Sequence, residues 1–132
     1  MSTNPTFCVT DVNGVDIRCY LDPSLPATQT MSVAAGSQVG FTASPAIYHP
    51  VPLQFYMAKV SSGQTAASWD GSGQVWFKIA ALRPTIISSS IDFPAVNMAK
   101  VYATIPKSLP SSDYLLRVEQ IGLHVASTVA GA

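Results

Sequence analysis

Charge is scarce in this sequence: Asp, Glu, Lys and Arg make up 11% of the residues, with seven acids against seven bases. Phosphate recognition needs clustered Lys and Arg, so the composition excludes a nucleic-acid partner. The same scarcity leaves no polybasic patch for an anionic membrane surface. Long hydrophobic runs are missing as well. None approaches the ~20 residues of a membrane span, and no membrane partner is expected. At the amino end, Met1-Ser2-Thr3-Asn4-Pro5 has no basic stretch leading into an apolar core, so no signal peptide is expected within the chain. Familiar catalytic signatures are absent too. There is no G-x-S-x-G elbow, and no Ser or Cys adjoins a histidine. Asp70-Gly71-Ser72-Gly73 lacks the lysine and following helix of a phosphate loop. The acids Asp11, Asp16, Asp22, Asp70, Asp92, Asp113 and Glu119 are scattered, with no pair singled out.

What is present is a chain of 132 residues, 48% hydrophobic, which suits a single domain spanning 1–132 with one core. Proline and glycine recur throughout and cut it into short segments. Thr30 to Ala34 and Gln38 to Thr42 read as a hairpin around Ala35-Gly36-Ser37. Leu53 to Val60, Gln74 to Ile79 and Met98 to Ile105 read as further strands. Asp113 to Leu123 is the longest, with Tyr114, Leu116 and Val118 on one face and Arg117 and Glu119 on the other. Gln64 to Trp69 is the one short helix candidate. Six or more short strands with turns between them predict an antiparallel β-sandwich.

Cysteine occurs twice, at Cys8 and Cys19, with Asn13-Gly14 between them as a two-residue hairpin signal. A turn centred there sets the two cysteines opposite each other, and a disulfide in so short a loop is worth about 2–3 kcal/mol. That rung is hydrogen-bonded, with Cα atoms ~5.5 Å apart. Two unconnected buried thiols are the alternative. Histidine also occurs twice, at His49 and His124, a separation that carries no metal-binding signature by itself.

Read in order, several pieces form a recognisable pattern. They include Asp16-Ile17-Arg18-Cys19, Val33-Ala34-Ala35-Gly36-Ser37 and Ile47-Tyr48-His49-Pro50 with Pro52-Leu53-Gln54. Tyr56-Met57-Ala58-Lys59, Val75-Trp76-Phe77-Lys78-Ile79 and Tyr114-Leu115-Leu116-Arg117-Val118-Glu119-Gln120-Ile121 through His124 complete it. The chain resembles the fungal copper-dependent lytic polysaccharide monooxygenases of auxiliary activity family nine over nearly its whole length. The resemblance implies an immunoglobulin-like or fibronectin-like β-sandwich with long loops and one short helix. It implies extracellular action on cellulose or a related β-glucan, with copper as cofactor. By match, His49 is an imidazole ligand of the copper, a donor type that suits this metal. His124 matches a histidine beside the oxygen pocket, able to donate a hydrogen bond there. Cys19 matches a cysteine whose usual partner lies near the family's carboxyl end.

The departures from the pattern carry their own expectations. The family's first-residue histidine, which supplies two copper nitrogens, has no match here, and neither does the segment bearing its axial tyrosine. The sequence therefore reads as a partial domain lacking terminal strands, with copper weakly bound or absent and catalysis impaired. The alternative is a non-catalytic sandwich that binds polysaccharide or protein, with Tyr20, Tyr48 or Trp69 stacking on sugar rings. Trp76, Phe77, Phe55 and Tyr114 are assigned to core packing. Uncovered sheet edges predict self-association or marginal stability. Val51 stands where the family has glycine, and a β-branched residue fits only if φ is negative there.

Overall fold

A computed structural model describes residues 9, 11, 13–18, 29–123 and 127. Cys8, Cys19, Tyr20 and His124 lie outside these residues, as does the pairing proposed for the two cysteines. The described residues form an all-β sandwich of antiparallel sheets. One sheet has three strands in the order β3-β2-β7, built from β2 (Leu53–Lys59), β3 (Trp76–Leu82) and β7 (Tyr114–Gln120). The second pairs β1 (Gln38–Thr42) with β6 (Lys100–Thr104). A small hairpin joins β4 (Thr85–Ile87) to β5 (Ser90–Asp92).

Alternation sets the register. On β2, Leu53 and Phe55 point into the space between the sheets and are 2% and 0% exposed. Phe55 pairs across the ladder with Val118, and the two pack with Val51, Val101 and Ala103 in one cluster. Burying a large apolar side chain this fully contributes about 1.5–3 kcal/mol, so the cluster is what joins the two sheets. Phe41, Ile79 and Leu82 close its flanks. On β3, Phe55 pairs with Ala80 but Tyr56 with Lys78, so Ile79 is the extra residue of a bulge.

The opposite face of the three-stranded sheet is covered as well. Ala58, Val60 and Trp69 form a second cluster with Trp76 and Leu115 against them. The alternation read from the sequence for β7 holds: Val118 faces the first cluster and Arg117 pairs with Tyr56 on the far side. That far side is not solvent. The Arg117 guanidinium lies 4.7 Å from the Tyr56 ring centre and 4.6 Å from that of Trp76. It also donates to the Ile17 carbonyl at 2.6 Å. Trp76 Nε1 donates to the Gly71 carbonyl. Gly71 has φ +70°, and a Cβ there would meet the indole at 2.8 Å, so this position requires glycine.

Three local expectations are corrected. Thr30 to Ala34 forms no strand: these residues are exposed, and β1 pairs with β6 instead. Gly36 N–H and Ile105 N–H exchange bonds across that ladder's end, to the Ile105 and Ser37 carbonyls, and the Ala34 carbonyl accepts from Ser37 N–H in a local turn. Gln64 to Trp69 makes a single turn, closed by Trp69 N–H to the Thr65 carbonyl, rather than a helix. The hydroxyl of Ser68 bonds the Thr65 backbone and holds the turn short. Asn13-Gly14 does turn the chain, with Gly14 N–H bonded to the Asp11 carbonyl. However, Gly14 has φ −69°, not the positive φ of a two-residue hairpin, and the chain continues into a short 3-10 helix, Val15–Ile17. It is the one helical segment among the described residues.

Candidate functional site

The segment 43–52 crosses one end of the sandwich between β1 and β2. Its course is fixed by backbone bonds at several points. Ala43 N–H bonds the Ala99 carbonyl, Ile47 N–H bonds the Met98 carbonyl, and the Ile47 carbonyl accepts from Asn97 N–H at 2.6 Å. Asn97 takes φ +67°, a conformation asparagine tolerates better than most residues. At the far end, the Pro52 carbonyl accepts from Ile121 N–H at 3.3 Å, just beyond the last residue of β7.

Two side chains pin the segment from beneath. Ile47 is 6% exposed and Val51 is fully buried, both within the first cluster. Val51 is not among the positive-φ residues, so a β-branched side chain is accommodated and used for packing. Between these anchors the chain lifts Tyr48 and His49 away from the core. Tyr48 is 66% exposed, His49 is half-buried, and their ring centres are 4.1 Å apart at a 45° tilt. The imidazole is therefore carried on a short bridge whose two ends cannot shift without disturbing the core.

An imidazole so placed suits a borderline metal such as copper in kind. Among the described residues no group of three or more His, Cys, Asp or Glu side chains gathers to complete a site around it. Asp70 and Glu119 are engaged with arginines. Asp70 pairs with Arg18 at 3.2 Å beside the 3-10 helix. Its carboxyl is held below the usual carboxylate value by the Ser72 hydroxyl first, then by Ser72 N–H, with Arg18 adding to both. Glu119 pairs with Arg117 at 3.4 Å. Both serve the polar seam under the 3-10 helix rather than the His49 end.

The aromatic assignments divide. Trp69 is 8% exposed inside the second cluster and cannot stack on an external sugar. Phe55 is core, as expected, but Phe77 is 37% exposed near the end of its strand. Tyr114 is half-buried and donates its hydroxyl to the Pro110 carbonyl. Tyr102, which strand alternation alone does not single out, is 49% exposed and pairs with Gly40 across the second sheet.

No helix among the described residues is long and apolar enough to cross a membrane. The model of Auxiliary Activity family 9 (formerly GH61) matches residues 1–132. The chain is 65% identical over 124 residues to AA9 family lytic polysaccharide monooxygenase H of Malbranchea cinnamomea, covering 94% of this chain and 54% of that protein. It is 53% identical over 126 residues to AA9 family lytic polysaccharide monooxygenase A of Thermothielavioides terrestris, again covering 94% and 54%. A third relative, AA9 family lytic polysaccharide monooxygenase C of Emericella nidulans, is 48% identical over 126 residues. The chain spans about half the length of the curated relatives it matches.

Proposed function

The chain belongs to Auxiliary Activity family 9, and on that premise we propose that it is a single-domain portion of a secreted, copper-dependent lytic polysaccharide monooxygenase acting on cellulose or a related β-glucan. The observation that supports the site assignment is the seating of His49. Its imidazole stands outside the core on a bridge anchored by Ile47 and Val51, facing the same end of the sandwich as exposed Tyr48. In this reading His49 gives one nitrogen to copper, and bound copper supplies the redox chemistry for oxidising a C–H bond at a glycosidic linkage. Tyr48 offers the neighbouring sugar an aromatic edge.

By its match to the family pattern, His124 is proposed as a hydrogen-bond donor beside the metal. With His49 on the metal and His124 beside it, the chain's two histidines supply one imidazole ligand. These 132 residues by themselves are therefore proposed to hold copper weakly and to turn over slowly. The two-stranded β1–β6 sheet and the β4–β5 hairpin each have outer edges with no neighbouring strand among the described residues, and with Ile86 81% exposed these edges support self-association.

Incubation with cellulose, copper and a reductant, followed by mass spectrometry of soluble products, tests the activity. Traces of oxidised oligosaccharide that require the added copper fit the proposal. Rapid release would contradict slow turnover, and release independent of copper would contradict the proposed chemistry. The specific support for a non-catalytic second reading, polysaccharide binding alone, is the exposure of Tyr48. Cellulose binding with no oxidised product at any copper concentration would favour it.

A further inference from the structure

The outer face of the β1–β6 sheet presents three successive rungs, all exposed: Gln38 with Thr104, Gly40 with Tyr102, and Thr42 with Lys100. The middle rung is unusual. A Cβ on Gly40 would lie 2.7 Å from Tyr102 Cε1 and 2.9 Å from Cδ1, so the phenol ring lies directly over the glycine backbone. Glycine here is what lets the ring lie flat on the sheet. One face of the ring rests on the backbone while Tyr102 remains 49% exposed. A shallow depression bounded by Gly40, Phe41, Thr42, Lys100 and Tyr102 runs beside it.

From this geometry we propose a second ligand site on the β1–β6 face, with Tyr102 as the stacking platform for a neutral β-linked oligosaccharide. The flat aromatic face meets the C–H face of a sugar ring, burying apolar area on both. The rungs on either side place an amide and a hydroxyl at one end and a hydroxyl and an ammonium at the other, which can bond sugar hydroxyls. Outward side chains two residues apart along a strand are ~6.8 Å from each other, so the three rungs span roughly 13–14 Å, the reach of a few sugar units. Charge selects the ligand class. The three rungs carry one cation, Lys100, in a chain of zero net charge, which suits a neutral polymer and not a polyphosphate.

The site does not depend on the copper assignment at His49, and its test omits metal. Cellohexaose is titrated into the 15N-labelled chain while the Gly40, Thr42 and Tyr102 amide signals are followed. These amides are expected to shift together and saturably. Tyr102→Ala is expected to weaken binding about tenfold and Tyr102→Phe to retain most of it, because the ring and not the hydroxyl does the stacking. Gly40→Ala, which lifts the ring, is expected to weaken binding while leaving every flanking polar group in place. Shifts confined to residues 47–51, equal affinity in folded Tyr102→Ala, or no binding by the parent chain would each overturn the proposal.

Discussion

The Pro52 carbonyl accepts a hydrogen bond from Ile121 N–H at 3.3 Å, and this bond carries the β2–β7 register past the ends of both strands. It ties the segment bearing His49 to the residue that follows β7. The candidate site therefore rests on β2, the central strand of the three-stranded sheet, and its neighbour β7, and its geometry follows from core packing below it.

Val51 is the side chain that transmits this packing. It is fully buried beside Leu53 and Phe55, two residues from His49. Val51→Ala leaves a cavity and is expected to cost about 2 kcal/mol, lowering the melting temperature by roughly 6–10 °C. Circular dichroism melts of the parent and variant check this. A shift under 2 °C would mean that the segment is not anchored through this residue.

Arg117 joins the 3-10 helix to the sheet in a way lysine cannot copy. Its planar guanidinium stacks between Tyr56 and Trp76 while donating to the Ile17 carbonyl and to Glu119. Arg117→Lys keeps the charge but loses the planar stack and the forked donors. The expected cost is about 2 kcal/mol, read from the urea midpoint, with a change in tryptophan emission as Trp76 loses its neighbour. An unchanged midpoint and spectrum would contradict this role.

Asp70 makes the same seam sensitive to acid. Its folded carboxyl lies below the ordinary value of 3.8, because the Ser72 hydroxyl and N–H bond the ionised form and Arg18 attracts it. The unfolded chain takes up this proton at higher pH than the folded chain does. The contribution is therefore fully present above the ordinary value and is lost as pH falls through the lower, folded one. Asp70 is solvent-exposed, so the effect is small. Urea midpoints compared at about pH 5 and about pH 2.5 should fall less for Asp70→Asn than for the parent. Equal falls would remove Asp70 from the account.

Much of the fold is legible in the sequence where a strand buries one face of alternating residues. Leu53, Phe55 and Met57 alternate with Gln54 and Tyr56, and β7 answers them with Leu116 and Val118. β1 is different, because its partner β6 lies some 60 positions away and local turn residues suggest the nearer segment 30–34 instead. The Ile79 bulge hides the phase of β3 for a similar reason, since one extra residue exchanges the two faces. At the site, Tyr48-His49-Pro50 is visible by its resemblance to a family, whereas the anchoring by Asn97 and Ile121 appears only with the tertiary contacts. Tyr102 on Gly40 depends on a cross-strand register that no local pattern encodes.

The assignment of His49 to copper is tested most directly by titrating copper(II) into the 132-residue chain and into His49→Ala, with calorimetry and electron paramagnetic resonance read together. The account predicts weak binding by the parent with one imidazole nitrogen coupled to the metal, and loss of both the heat and that coupling in the variant. Binding of equal strength by His49→Ala, with the same nitrogen coupling, would contradict it.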